Sequence, residues 1–334
     1  MRNYFIYKGI MKYQNARFEK FAESFEKHIS ELKSYLKKQA ASFDVEVRKQ
    51  AAECIKPQGK YLRPLLVYSS APSKKYSDKE LQKRAAAVEL IHLASLIHDD
   101  VIDNADLRRD EETIFKKFGA RTAILLGDAI FAHAMGLSVD GNAPEVSSRA
   151  IAVVKTLSQG EIMQTLALNR ETDMARYISI IEGKTASLFE FACFLGASLE
   201  CGAQSEWAKA AQKAGKALGR AYQMYDDICD WNMAESQSGK TAGTDFISEK
   251  QTLPVIILLQ TLPKRESAKL SKNLKSHSPQ DLRQMMSENG VFKKCAEIYE
   301  KEVEKARAAI AKFVGKNEKL LEFCDAISSM MPKY

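Results

Sequence analysis

Residues 87–110 read AVELIHLASLIHDDVIDNADLRRD, and this stretch decides the fold. Its first half is apolar around most of a helix, the mark of a helix buried on several sides. It then ends in three acids, Asp99, Asp100 and Asp103. Residues four apart share a helix face, so Asp99 and Asp103 project together. Acids are poorly placed there, because a helix C-terminus already carries the negative end of the backbone dipole. The same fault recurs in YDDICD at 225–230, where Asp226 and Asp230 share a face at the end of another long apolar run, 205–231. A solvated acidic helix end explains either cluster alone. One rule broken twice in the same manner argues instead for function with a compensating cation.

Oxygen donors of this kind select Mg²⁺ or a close relative over zinc. Mg²⁺ keeps waters and shares its coordination sphere with substrate phosphates. Two carboxylate walls facing each other would hold several Mg²⁺ ions with a diphosphate bridging them, and the metals would relieve the mutual repulsion of the acids.

Outward from these clusters, apolar residues recur at three- and four-residue spacing over 80–102, 145–168 and 173–200 as well, and no alternating strand run emerges. Breaks fall at KPQGK (56–60), APSKKYS (71–77), DGNAPE (140–145) and the polar stretch 232–245. Only 8 prolines and 16 glycines occur in 334 residues, a composition that favours helix. With no interdomain linker, the expectation is a single all-α domain over 1–334, a helical bundle, with residues 1–20 a peripheral N-terminal extension.

Charge and cysteine usage exclude some function classes. Lys and Arg number 50 against 43 Asp and Glu, a formal charge of +7. That mild excess suits an anionic small substrate or a lipid headgroup. No basic run is interleaved with aromatics, so nucleic acid is not an expected partner. The six cysteines (54, 193, 201, 229, 295 and 324) form no C-x-x-C and read as reduced thiols of an intracellular protein. No apolar run is long enough to span a bilayer. The opening MRNYFIYKGIMKYQNARFEKF lacks a secretory apolar stretch, and its lack of serines argues against an organelle signal. The cytoplasm is the expected location.

Short basic stretches offer cations where a polyphosphate needs them. GKYLRP (59–64) sets Lys60 and Arg63 one turn apart, with Gly59 freeing the backbone. Arg108 and Arg109 follow the first acidic cluster, GKT (183–185) interrupts an apolar helix with Lys184 and Thr185, and Lys240 and Lys250 flank the loop after the second cluster. Arg forks suit diphosphate oxygens and Lys supplies point charges. Taken singly, each is an ordinary surface cation, except Lys184, which must find a partner inside its apolar run. His92 and Ser95 precede Asp99 by seven and four residues and share its face, which favours substrate contact for His92, while His98 lies off that face. Gln223 precedes Asp226 by three, and Glu161 and Gln164 in GEIMQ form a polar pair on an apolar helix.

With these motifs in hand, the sequence resembles the trans-isoprenyl diphosphate synthases, or polyprenyl synthases. AVELIHLASLIHDDVIDNADLRRD is similar to their first aspartate-rich region and AYQMYDDICDWNMAESQSGKTAGTDFISEKQTLPVI to their second, with GKYLRP, GEIMQ and GKTASLF matching in order between them. The resemblance covers roughly residues 20 to 334. It implies helices surrounding a deep central cavity, a homodimer, and head-to-tail condensation of isopentenyl diphosphate onto an allylic diphosphate. By the same resemblance Asp99, Asp103, Asp226 and Asp230 would hold the metals, supported by Asp100 and Asp227. Arg108, Lys184, Thr185, Gln223, Lys240 and Lys250 would bind the allylic diphosphate, and Lys60, Arg63, His92 and Arg109 the isopentenyl diphosphate. The sequence departs from the family in DEET where Gly-x-Pro-Thr is usual after the arginines, in Tyr222 for Phe, and in Glu249 for the Gly before Lys250.

The chemistry this implies is ionisation of the allylic C–O bond, attack by the isopentenyl double bond and loss of a proton, with the departing diphosphate as base. The growing tail would run down the first acidic helix past Ser95, Ala94, Ile91 and Val88. Small residues at 94 and 95, where short-chain enzymes carry an aromatic floor, predict a geranylgeranyl or longer product. Gly215 and Gly219 are expected to thin the opposite wall, and Phe131 or Met135 to stop the chain lower down. A peripheral membrane contact would aid release. The alternatives are a short-chain farnesyl or geranylgeranyl diphosphate synthase, one subunit of a heterodimeric synthase, a class I terpene cyclase, whose second metal site mixes Asn, Ser/Thr and Glu unlike YDDICD, and a non-catalytic helical protein.

Overall fold

The computed structural model describes residues 16–56, 59–109, 111–139, 144–232, 243–313, 318–332 and 334. The chain begins with α1 (Ala16–Glu23), α2 (Glu26–Gln39), α3 (Arg48–Cys54), α4 (Leu62–Ser70) and α5 (Lys79–Ile102). A two-residue antiparallel ribbon follows, β1 (Leu107–Arg108) with β2 (Glu111–Glu112). It is the only sheet among the described residues. Next come α6 (Ile114–Val139), broken at Gly119 where φ is 79°, then α7 (Pro144–Ala167) and α8 (Met174–Ile181). One π turn, Glu182–Ala186, joins α8 to α9 (Ser187–Cys201). After α10 (Glu206–Asn232) the helices are α11 (Thr244–Ile247), α12 (Leu253–Thr261), α13 (Lys264–Lys272), α14 (Pro279–Glu288), α15 (Val291–Ile310) and α16 (Glu318–Ser328).

Of the expected breaks, APSKKYS (71–77) separates α4 from α5, whereas residues 57–58 of KPQGK, 140–143 of DGNAPE and 233–242 of the polar stretch lie outside the described residues. Local chemistry starts several of the helices: the Asp78 carboxylate accepts from Glu80 N ahead of α5, Asp173 from Arg176 N ahead of α8, and Ser278 with Asp281 forms a capping box before α14. α5 packs along α6 and against α4 and α9, and α10 packs along α9 and α15. The central helices bury nearly all their faces. Residues Arg84–Ile91 of α5 and Leu188–Ser198 of α9 are buried almost without interruption. Of the expected peripheral stretch 1–20, residues 1–15 lie outside the described residues, whereas Phe18 is buried in the core beside Phe21.

Close helix crossings rest on small residues. Gly215 and Gly219 do not thin a cavity wall as the sequence suggested. A β-carbon at Gly219 would lie 2.5 Å from Ala186 Cα, and one at Gly215 would lie 2.6 Å from Phe189 O and 2.8 Å from Cys193 Sγ, so both let α10 close on α9. Likewise a β-carbon at Gly183 would lie 2.7 Å from Gly160 Cα, where the π turn meets α7. Phe131 packs its ring 5.5 Å from that of His98.

Candidate active site

Both acidic clusters occupy the last turn of a buried helix, and the polar groups around them converge. Asp103 caps α5, its backbone N–H donating to Asp99 O at 2.8 Å, so the two carboxylates share one turn. Lys250 Nζ lies 3.0 Å from Asp103 Oδ1. Lys250 N donates to Asp245 O, and Asp245 N donates to Asp230 Oδ2 at 3.1 Å. This relay, Asp103–Lys250–Asp245–Asp230, links the end of α5 to the end of α10.

Lys184 stands beside it. Its ammonium donates to Gln164 Oε1 at 3.1 Å and lies 3.4 Å from Glu161 Oε2, so the polar pair on α7 is its partner. Burial acts to lower the Lys184 pKa, yet Glu161, Asp99, Asp245 and Asp103 together hold it above the ordinary lysine value. A π turn presents this lysine and Thr185, and such turns are concentrated at functional sites. Glu182 at its start is clamped by Arg220 at 2.7 Å and Lys216 at 2.9 Å.

The three acids of each cluster do different work. Asp100 is buried and accepts from Arg108 Nε at 2.7 Å, which fixes Arg108 beside the site. Asp227 is buried with both oxygens engaged: Tyr177 Oη donates at 2.6 Å and Gln223 Nε2 at 2.9 Å, while Gln223 Oε1 accepts from Thr185 at 2.7 Å. Among the described residues no protein hydrogen bond claims the Asp99 or Asp226 carboxylate. Desolvation raises the Asp99 carboxyl to about 6, against the pull of Lys184. It raises Asp226 to about 7, against Lys60 and Arg63. Asp226 is reachable by solvent and yet closely surrounded by protein, as a carboxylate lining a concave recess must be.

Lys60, Arg63 and Arg109 gather near Asp226. Burial lowers the Lys60 and Arg63 pKa values. Arg63 stacks over the Phe189 ring at 5.3 Å, and its buried Nε has no acceptor among the described residues, an open invitation to an anion. Gly59, at φ 87°, lies directly against the Arg109 guanidinium, where a β-carbon would collide. Burial and the neighbouring arginines push His92 well below its ordinary value, so it is a neutral imidazole in this cationic corner. His98 turns away to α6, its Nε2 3.1 Å from Ile124 O.

The structure thus brings Lys60, Arg63, His92, Asp99, Asp103, Arg108, Arg109, Lys184, Thr185, Gln223, Asp226, Asp230 and Lys250 to one region, and Lys240 lies outside the described residues. The sequence reasoning missed Asp245, set between both clusters inside a stretch read as a polar loop, and Tyr177, whose position on an apolar helix carried no signal. Among the described residues no three His, Cys, Asp or Glu side chains form a ready-made metal cage. Hard oxygen donors divided between two walls, with cations between them, fit a divalent ion that completes its shell with diphosphate oxygens.

The protein is almost wholly helical, and its two acidic helix ends are joined through Lys250 and Asp245. The polyprenyl synthetase family model matches residues 45–289, and the chain belongs to that family. It is 36% identical over 199 residues to octaprenyl diphosphate synthase of Haemophilus influenzae, covering 59% of this chain and 60% of that protein. It is 36% identical over 210 residues to heptaprenyl diphosphate synthase component 2 of Geobacillus stearothermophilus, covering 63% and 65%. The chain thus spans about three fifths of the length of the curated relatives it matches. A solved polyprenyl synthase from Caulobacter crescentus, complexed with calcium and isoprenyl diphosphate, superposes with a TM-score of 0.81 at 27% identity over 95% of this chain and 98% of that one.

Proposed function

We propose that this chain is a Mg²⁺-dependent prenyltransferase that condenses isopentenyl diphosphate with an allylic diphosphate, head to tail and in trans, to a geranylgeranyl or longer polyprenyl diphosphate. One observation carries the reading: Lys184 and Lys250 sit at the first acidic helix end, and Asp245 joins them to Asp230 at the second, with Arg63 offering an unclaimed donor close by. Asp99, Asp103, Asp226 and Asp230 would hold the metal ions, which when bound supply positive charge to the leaving diphosphate. Arg108, Lys184, Thr185, Gln223, Lys240 and Lys250 hold the allylic diphosphate so that charge on the departing oxygens is met by fixed donors. Lys60, Arg63, His92 and Arg109 orient isopentenyl diphosphate for attack by its double bond. As the C–O bond breaks, the alkene donates its electrons to the allylic carbon, and the proton lost from the new cation passes to the diphosphate. The apolar helices beneath exclude water that would quench the cation.

One hydrophobic core from Phe18 to Met330 supports a single catalytic domain. Exposed Ile124, Leu125, Ile151, Ile162 and Leu166 on α6 and α7 support a homodimer through those helices. Exposed Ile102, Leu107 and Ile247 rim the acidic ends and support a peripheral membrane contact during release. Among the described residues no helix is long and apolar enough to cross a membrane, which accords with a cytoplasmic enzyme. The relatives' octaprenyl and heptaprenyl names favour a long product, and "component 2" keeps the heterodimer as a further reading. Purified chain is incubated alone with isopentenyl diphosphate, an allylic primer and Mg²⁺, and its products are sized. A ladder beyond C15 supports the proposal, activity only with a second subunit selects the heterodimer, and no prenyl product under either condition refutes it.

A further inference from the structure

The residue just before Lys250 is Glu249, and its backbone is left-handed, with φ 64°. That region disfavours a long side chain, so other contacts must hold it there. Both carboxylate oxygens are engaged. Oε2 accepts from Asn169 Nδ2, and Oε1 accepts from Lys275 Nζ at 2.8 Å. Asn169 is itself left-handed, at φ 60°, and its N–H donates to Glu249 O at 3.4 Å. Two residues on, Gln251 Oε1 accepts from Thr172 N at 3.0 Å. The connection between α7 and α8 is therefore fastened to residues 249–251 by backbone and side chain together.

Lys250 lies in the middle of that fastening, and its neighbours line the site. Leu168, Thr172, Lys184, Gln223, Asp245, Lys250 and Gln251 border one recess. A carboxylate adjacent to a diphosphate-binding lysine ought to repel the substrate, yet Glu249 is exposed and turned to Asn169 and Lys275, while Lys250 reaches inward to Asp103.

We propose that the Asn169–Glu249 pair is a clasp that positions Lys250 for the allylic diphosphate. Asn169 and Glu249 are positioning residues, acting through Lys250 and touching no substrate. The proposal rests on the reading given under Proposed function. It explains how Glu stands where left-handed geometry invites Gly: the clasp holds the strained backbone and directs the acid outward at once.

The test compares steady-state kinetics and melting temperature of wild type, Asn169→Ala, Glu249→Gly and the double variant. Asn169→Ala leaves the Glu249 carboxylate to Lys275 alone and loosens the loop, so KM for the allylic primer should rise about tenfold, with KM for isopentenyl diphosphate unchanged and the melting temperature lowered only slightly by Ala in the left-handed region. Glu249→Gly relieves the strained φ and deletes the carboxylate, so in its background Asn169→Ala should add less than about twofold. An allylic KM within twofold of wild type in Asn169→Ala overturns the clasp. So does an equal rise in both KM values with a fall in melting temperature, which marks a merely structural contact. Wild type that makes no prenyl product overturns the underlying reading itself, a result separate from either.

Discussion

At the scale of single residues, burial and hydrogen bonding divide labour within each aspartate triplet. The Asp99 and Asp226 carboxylates hold no hydrogen bond among the described residues and are raised by desolvation, so their charge is kept for something other than the fold. Replacing either with Ala should lower kcat/KM at least about a thousandfold, ~4 kcal/mol, measured by product formation at saturating Mg²⁺. Asp227 differs, because its neighbours claim it. Tyr177→Phe removes one neutral donor from Asp227 and loosens Gln223 and Thr185 behind it, which should raise KM for the allylic substrate about fivefold, ~1 kcal/mol, and leave kcat nearly unchanged. The aspartates, Lys184 and the arginines were legible in sequence because charge in an apolar or crowded setting has few explanations. Asp245 and Tyr177 were not. Asp245 sits among other polar residues, and Tyr177 is indistinguishable in sequence from any aromatic on an apolar helix face. Glu249 was legible as a departure from the family, and only its φ of 64° gave the reason.

Among the helices, spacing carried the information and contact did not. The apolar runs expected at 80–102, 145–168, 173–200 and 205–231 became α5, α7, the α8–α9 pair and α10 within a residue or two, since each buries a face that repeats with the helical period. What a glycine on such a helix touches depends on the facing element, which periodicity does not specify. That is why Gly215 and Gly219 read as gaps and prove to be close crossings with α9. The same argument makes Gly160 sensitive. A methyl group there would meet the backbone of the π turn at Lys184, so Gly160→Ala should cost about 1–3 kcal/mol in chemical denaturation and weaken activity with it. On α5, Ala94 is fully buried and Ser95 is bonded to His92 O at 2.8 Å, one turn below Asp99. Phe at either position should shorten the product by chromatographic sizing, and an unchanged distribution would exclude a tail running along that face.

For the whole molecule, the cost of the site is spread over four enclosed carboxyls. Burial raises Glu89, Asp226 and Asp227 to about 7 and Asp99 to about 6, all above their ordinary values near 4. A raised acid is more protonated in the native state than in the unfolded chain between those limits. Metal-free protein should therefore lose stability as pH rises from about 4 through about 7. Melting curves over that window should show the fall, and adding Mg²⁺ with inorganic pyrophosphate should flatten it, because ligands that bind only the native state offset the charging. A melting temperature that rises with pH across the window would contradict these shifts. Finally, the π turn at Glu182–Ala186 has a bearing on how the chain tolerates length change. It holds one residue more than a regular helical turn, absorbed within the turn so that the helix resumes on its path beyond it. Deleting a single residue there would restore regular winding and leave a protein still helical. The aromatic row Phe189, Phe191 and Phe194 would keep its neighbours, while Lys184 and Thr185 would lose the wide turn that presents them, so such a deletion should abolish activity and spare the fold.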